Sequence, residues 1–278
     1  MPRYHTILTI DPSALVHNFN MIRAKVGAAV QVASVVKANG YGLGLETVVP
    51  ILDQAGADAF YVANIDEGMR ARSVTQKPVF ILGGFVSGDD VPGLAIHTLT
   101  PVVNTMEQLD MIRARGIDLP FSLHVDTGMN RLGLSADDVQ KIADDPSRIE
   151  GLNMVQVLSH FACSDEKDHP LNALQAERFG RALTTIRRVT NPLIPATLAN
   201  SSGIFRSPAY HHDMVRPGFA LYGGNPTPET KNPMRAVVRL QSRILQVRMA
   251  QAGETVGYGA THKFDRPTTL ITIGTGYA

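Results

Sequence analysis

The sequence predicts an α/β protein: a (β/α)8 TIM barrel with a second, mostly β domain. Eight short apolar runs alternate with amphipathic, helix-like stretches, over roughly two hundred residues, somewhat less than a typical barrel. Polar residues capable of chemistry follow several of these runs: Lys37 the first, Asp126-Thr127-Gly128 the fifth, His160 the sixth and Asn200-Ser201 the seventh. A barrel gathers all its strand ends on one face, whereas the competing doubly wound sheet spreads them along a line. Beyond the Gly/Pro-rich stretch Gly223-Gly224-Asn225-Pro226-Thr227-Pro228 the pattern changes to period-two alternation, the mark of half-buried strands.

Taken in order, Thr6–Ile10 is strand-like, and Asp11-Pro12 opens a helix with an N-cap residue and a first-turn proline. The eight barrel strands are expected at Val32–Val36, Ala59–Ala63, Val79–Leu82, Leu99–Val103, Phe121–Val125, Met154–Leu158, Ala196–Ala199 and Phe219–Tyr222. Asn104 with Glu107 resembles a capping box ahead of Met106, Leu109 and Ile112, and Gly116 stops that helix. Ser135 with Asp138 does the same before Val139 and Ile142, and Leu174, Phe179, Leu183 and Ile186 form an apolar helical stripe. After the linker, Val238–Ile244 and Leu245–Met249 each alternate, but the phase flips between Ile244 and Leu245, which predicts a β-bulge. Thr269–Ile273 is a further strand. The expected domains are therefore a barrel over residues 11–228 and a partial β domain over 229–278, joined by the N-terminal strand within 1–10. The chain stops at Gly276-Tyr277-Ala278, directly after a strand. So short a β segment exposes edges and holds little core, so either a partner covers it or the sequence is incomplete.

Composition narrows the function classes. The chain has 278 residues, 44% hydrophobic and 18% charged, with a net charge of +1. That balance argues against nucleic acid or an anionic membrane as main partner, while a small anionic ligand needs only a local pocket. The one cysteine, Cys163, cannot form an intrachain disulfide, which suits a reducing cytosol. No signal peptide opens the chain, and no apolar run approaches the roughly 20 residues that cross a bilayer. The expectation is a soluble cytoplasmic protein.

Lys37 is the most informative residue. It ends the apolar run Val32–Val36 and precedes Ala38-Asn39-Gly40-Tyr41-Gly42-Leu43-Gly44. Desolvation at a strand end disfavours the ammonium form and leaves an amine able to form a Schiff base. Taken alone, a strand-end lysine more often packs its stem and sends its head to water. Arg131 lies in the glycine-flanked loop Asp126–Gly133, where a guanidinium can grip a carboxylate, although a surface arginine fits equally well. His160 stands at a strand end, and a satisfied structural histidine is the commoner case. Asn200-Ser201-Ser202-Gly203 suits a phosphate but equally a plain helix cap. Arg216-Pro217-Gly218-Phe219 adds a second guanidinium and a glycine amide, and Val256-Gly257-Tyr258-Gly259 sets a phenol between glycines.

In this order, these segments resemble alanine racemases, pyridoxal-phosphate enzymes built from a barrel and a β domain. Nearly the whole chain shares the resemblance, most specifically Val36–Gly42, Asp126–Gly133, Arg216–Gly218 and Val256–Gly259. It implies pyridoxal 5'-phosphate as cofactor, no metal, alanine as substrate and a head-to-tail homodimer with shared sites. Lys37 would hold the cofactor covalently and act as base on one face of the substrate Cα. Tyr258, delivered by the partner subunit, would be the base on the other face, coupled through His160 to Arg216. Arg216 would face the pyridine nitrogen and keep it unprotonated, which discourages side reactions. Arg131 would face the cofactor's phenolic oxygen and the substrate carboxylate. Tyr41, Ser201 and the amides of Gly218 and Phe219 would hold the phosphate, and Tyr277 would stand at the entrance to the partner's site.

Two departures accompany the resemblance. Many members carry a carbamylated lysine where His124 stands, and histidine cannot form that stable group, so the support it lends the arginine matching Arg131 must be absent or replaced. The family also continues past Tyr277, adding a methionine at the substrate carboxylate and a late tyrosine on the phosphate. Three alternatives to racemisation of alanine for cell-wall synthesis or degradation remain. One is a serine or broad-specificity racemase; another is a cofactor-binding protein that is catalytically weak. The third, a decarboxylase on the same fold, suits Arg216 less and lacks a cysteine-centred motif in the second domain.

Overall fold

The computed structural model describes residues 5–276. The chain divides into two compact units, one running from Pro12 to Val237 and the other formed by the described residues up to Asp11 together with those from Val238 onward.

The β unit begins with β1 (Thr6–Ile10). The larger unit starts with α1 (Pro12–Val26), which buries Ala14, Leu15, Asn18, Phe19 and Ile22. It then runs β2 (Gln31–Val35), the short turn α2 (Lys37–Tyr41), α3 (Leu45–Gln54), β3 (Ala59–Val62), α4 (Ile65–Arg72), β4 (Val79–Ile81), α5 (Asp90–Ile96) and β5 (Leu99–Val103). The second half runs α6 (Met106–Arg115), β6 (Phe121–His124), α7 (Ala136–Asp144), β7 (Met154–Leu158), α8 (Pro170–Val189), β8 (Ala196–Thr197), α9 (Ser201–Arg206) and β9 (Met214–Val215). Strands β2 to β9 close into a parallel barrel, with β9 pairing to β2 through Gln31↔Met214 and Val32↔Val215. The near-continuous apolar strands make this possible, since both their faces are covered.

Alternate residues point inward. Ala33, Val35, Ala59, Tyr61, Phe80, Val102, Leu158 and Met214 form one buried cluster. Tyr61 stacks on Phe80 with centroids 4.7 Å apart. Its hydroxyl accepts from Gln156 Nε2 at 2.5 Å, and the same amide donates to Ser122 Oγ at 2.8 Å. This polar link spans the inside of the barrel beneath the strand ends, and burial pushes the Tyr61 phenol up to about 12.

Two expectations need correction. The eighth strand is Met214–Val215, and Phe219–Tyr222 is a turn in which Leu221 N–H donates to the Gly218 carbonyl. Two apolar residues suffice to close the ring here, too few to register as a run beside His211-His212-Asp213. The cap of α6 is Thr105, whose hydroxyl accepts from Gln108 N–H; Asn104 instead turns inward and donates to the Leu82 and Val102 carbonyls. The Ser135–Asp138 capping box forms as expected. Of the α8 stripe, Phe179, Leu183 and Ile186 are buried and Leu174 is exposed.

In the β unit, β10 (Val238–Ser242) pairs antiparallel with β1. β11 (Ile244–Ala250) pairs with β14 (Thr268–Ile273), and the register slips between Ile244 and Gln246, a bulge at Leu245 where the alternation changes phase. β12 (Thr255–Val256) and β13 (His262–Lys263) form a small pair between them. Among the described residues, Leu8, Leu240, Ile244, Val247, Met249 and Ile271 are all exposed.

Tyr61→Phe is expected to lower the unfolding free energy by about 1–3 kcal/mol, because a buried amide loses one acceptor. Since Gln156 keeps Ser122, the lower end is expected, read from urea denaturation with an unchanged slope. An unaltered midpoint would mean that the interior link adds nothing.

Candidate active site

Lys37 follows β2, and the chain then does something unusual. Ala38, Asn39, Gly40 and Tyr41 all take left-handed backbone angles, with φ of 54°, 55°, 64° and 54°. For the three residues bearing a Cβ this is unfavourable by roughly 1–2 kcal/mol each. A buried carboxylate holds the turn in place: Glu67 accepts from Asn39 N–H at 2.8 Å and from Ala63 N–H at 2.9 Å. Asn39 Oδ1 accepts in turn from Leu45 N–H at 3.1 Å and from Arg70 Nη2 at 2.7 Å. Glycines at 40, 42 and 44 signal a turn in the sequence, but nothing in Ala38, Asn39 or Tyr41 announces its hand.

The turn leaves Lys37 half-buried at the barrel mouth, without a hydrogen bond to another described residue. Burial lowers its pKa, the charge of Arg131 lowers it further, and Glu67 opposes both. A fraction of neutral amine is thus favoured, as a nucleophile requires. Tyr41 stacks on Tyr222 at 4.4 Å, and Tyr222 donates its hydroxyl to the Val35 carbonyl at 3.2 Å. The Tyr41 hydroxyl approaches Gly218 so closely that a Cβ there would lie 2.3 Å away.

Arg216 follows β9 and is 3% exposed. Nη1 donates to Thr197 Oγ1 at 2.6 Å and Nη2 to the Ser159 carbonyl at 2.5 Å, with longer contacts of 3.4 Å to the Leu198 carbonyl and His160 Nδ1. The guanidinium also lies over the Tyr61 ring, 5.8 Å from its centroid. None of these partners is a carboxylate. Burial pulls the Arg216 pKa down, yet an arginine side chain keeps its proton in proteins. His160 is held neutral, well below its ordinary value, by burial first and then by the charges of Arg216 and Arg131. Facing an obligate donor, its Nδ1 is an acceptor.

Ser201 opens α9, capped by Asn200, whose Oδ1 accepts from Gly203 N–H at 3.0 Å. Ser201 Oγ accepts from the amides of Gly218 at 3.0 Å and Ala220 at 3.1 Å. The Gly218 amide is therefore engaged within the protein, and the Ser201 hydroxyl proton remains to be given outward.

These groups share one cavity of about 540 Å³. Lys37, Tyr41, His160, Ser201, Arg216, Gly218 and Phe219 line it, with Asn200, Ser202 and Leu82 among the other walls. Arg131 is not in the lining. It is exposed, forms no hydrogen bond or ion pair with another described residue, and its charge still depresses Lys37, His160 and His124. Its loop is gathered by Asp126, whose carboxylate accepts the amides of Gly128, Met129 and Asn130. Tyr258 belongs to the β unit, is 90% exposed and does not line the cavity. Tyr277 lies outside the described residues.

His124 has an unforeseen partner. Its Nδ1 meets Asn104 Oδ1 at 2.7 Å, and because the Asn104 amide nitrogen already serves two carbonyls, the imidazole is the donor. Burial, aided by Arg216, pulls His124 down to about 4; Asp126 opposes and Arg131 adds to the effect. The sequence marks Asn104 as a helix cap, and only its place directly after a barrel strand hints at this role.

A family model for the alanine racemase N-terminal domain matches residues 10–226, and one for the alanine racemase C-terminal domain matches residues 237–278. The chain is 44% identical to the alanine racemase of Rhodospirillum rubrum, across 99% of the chain and 74% of that protein. It is 41% identical to a biosynthetic alanine racemase of Agrobacterium fabrum, across 98% of the chain and 68% of that protein. Among solved structures, the alanine racemase of Bartonella henselae with covalently bound pyridoxal phosphate superposes with a TM-score of 0.88 at 34% identity, covering 99% of this chain and 76% of that one. The biosynthetic alanine racemase of Pseudomonas aeruginosa gives 0.87 at 30%, covering 98% and 75%.

The neutral His124 makes stability depend on pH. Its ordinary value is 6.5, against about 4 in the folded protein. Between these limits the unfolded chain takes up a proton that the native state refuses, so stability is complete above the upper limit and is lost as pH falls toward the lower. His124→Gln is expected to flatten this loss, measured as the difference in urea midpoint between pH 7 and pH 4.5. An unchanged difference would assign the acid sensitivity to other groups, His160 first.

Proposed function

The chain belongs to the alanine racemase family, and we propose that it interconverts L- and D-alanine with two bases, Lys37 and Tyr258 of the partner subunit. Members of this family depend on pyridoxal phosphate. The observation that carries the reading is the pairing of a free amine of lowered pKa with a guanidinium that has no counter-charge, both lining one cavity.

The residues present fit the cofactor. Lys37 would hold it covalently. The Tyr41 hydroxyl, which the missing side chain of Gly218 admits, and the outward proton of Ser201 suit a phosphate, with Phe219 beside them. Arg216 offers its remaining donors to an acceptor in the cavity, and a pyridine nitrogen meeting it stays unprotonated. When bound, the cofactor supplies an electron sink that acidifies the substrate Cα–H.

The protein's own part is proton handling. Racemisation without turning the substrate over needs a base on each face, because the proton leaves one side and returns on the other. Lys37 serves one face. Tyr258, flanked by Gly257 at φ 77° and Gly259 at φ 72°, stands out in solvent, where it can enter the cavity of a second copy. His160, neutral and tied to Arg216, is the group placed to share the tyrosine's proton. Arg131, without a hydrogen bond or ion pair among the described residues, would take the substrate carboxylate through paired hydrogen bonds. Alanine is the substrate, and a homodimer is the working form. Among the described residues no helix is long and apolar enough to cross a membrane.

Lys37→Ala is expected to abolish both the absorbance band of lysine-bound cofactor and the loss of α-deuterium from either enantiomer. Tyr258→Phe is expected to keep the band while suppressing exchange from L-alanine by about 100-fold or more, the scale of a lost general base. Equal loss from both enantiomers would contradict the assignment of faces.

A further inference from the structure

The cavity takes part of its wall from two segments without regular secondary structure, one carrying Ser164 and Asp165, the other Asn225 and Pro228. Walls made of loops are ordered by whatever ties the loops together. One side chain ties both. Arg206, the last residue of α9, donates from Nε to the Ser164 carbonyl at 2.6 Å and from Nη2 to the Asp165 carbonyl at 2.5 Å. The same guanidinium forms a two-pronged pair with Glu229, Nη1 to Oε1 and Nη2 to Oε2, the second at 3.2 Å. Arg206 is 7% exposed and Glu229 37%, so the pair has one buried and one accessible member.

The second segment is tied together internally. Asn225 Nδ2 donates to the Thr230 carbonyl at 2.9 Å, and Thr230 N–H returns to the Thr227 carbonyl at 2.9 Å. At its base, Asn232 Nδ2 donates to the Gly223 carbonyl at 2.9 Å. The tip is held by Glu229. The helix that carries Arg206 begins at the cavity, where Ser201 and Ser202 line it and the cap Asn200 accepts from Ser164 Oγ at 2.7 Å. Helix α9 thus touches the cavity at one end and pins both loops at the other. Arg206 itself does not line the cavity, and none of the chemistry described above uses it.

We propose that Arg206 is a positioning residue for cofactor retention: with Glu229 it latches residues 225–230 against Ser164 and Asp165, and release of this latch lets the cofactor enter and leave. This rests on reading the cavity as the pyridoxal-phosphate site. A planar fork is needed, because one guanidinium must satisfy two carbonyls and a carboxylate together, which an ammonium cannot do.

The test titrates the cofactor-free chain with pyridoxal phosphate, following the band of lysine-bound cofactor. Glu229→Gln, at an accessible carboxylate, is expected to weaken binding about five-fold, the upper range for a partly exposed ion pair. In an Arg206→Gln background the same substitution should have a much smaller effect, because no charge is left for Glu229 to pair with. The five-fold ratio should narrow in about 1 M salt without vanishing, since the buried Arg206 shields the pair in part; a merely structural role would lower thermal stability without that salt response. Amide hydrogen exchange in the free chain should rise together in residues 163–166 and 225–231 of Glu229→Gln. A normal band with equal affinity in wild type and Glu229→Gln overturns the latch and leaves the site reading intact. No band in the unaltered chain overturns both.

Discussion

Arg216 is a full positive charge enclosed where the barrel strands end, and every partner it has is neutral: a threonine hydroxyl, two carbonyls, an imidazole nitrogen and the face of a tyrosine. A buried charge left this way is costly unless its donors are satisfied. The inside of the barrel is arranged to satisfy them. Thr197 gives its own proton to the Met214 carbonyl at 2.7 Å, so the oxygen it turns toward Arg216 is an acceptor. Tyr61 is fixed by Gln156 and Phe80, so its ring face stays under the guanidinium. Because no carboxylate cancels the charge, it reaches outward and helps to keep both His160 and His124 neutral. The cavity consequently holds the Arg216 guanidinium and the neutral His160 imidazole in its wall, a setting that draws an anion and keeps this histidine able to accept a proton.

The left-handed turn after Lys37 is the second constraint. Three residues with a Cβ in that conformation oppose folding by roughly 3–6 kcal/mol together. The Asn39 amide within the turn donates to the Glu67 carboxylate, which the Ala63 amide anchors from outside it, so Glu67 offsets part of that cost. Its charge acts on Lys37 at the same time, opposing the fall in its pKa. Geometry and basicity at Lys37 are set against each other through one carboxylate. Tyr41 gains its place from the same turn, since only a reversal this tight brings its hydroxyl back onto Gly218.

How much of this was legible depends on whether a feature is local. Seven barrel strands could be read because an apolar run bounded by turns is a local pattern; the eighth could not, because Met214–Val215 closes the ring with two residues. The bulge at Leu245 was legible because a one-residue slip changes the phase of alternation. Asn104 misled because asparagine is a good cap and Glu107 sits at the right spacing, while Thr105 with Gln108 fits as well. What decides between them is His124, twenty residues away in sequence and across a strand pair. Seven residues singled out from their places at strand and loop ends do line one cavity, since a barrel collects such ends on one face. Arg131 and Tyr258 do not, and no local pattern could say so.

That separation bears on how the proposed chemistry is divided. Every residue lining the cavity lies within the barrel unit, so the proposed cofactor attachment and the proposed Lys37 base both belong to that unit. The other proposed base is a phenol standing in water on the β unit. A neutral phenol is a poor base. It becomes useful only where a cationic surface favours the phenolate, and the cavity lined by Lys37 and Arg216, which the charge of Arg131 reaches from outside, offers one. On this reading the second base is not a property of one folded chain. It is created by assembly, when the tyrosine of one copy enters the positive field of another.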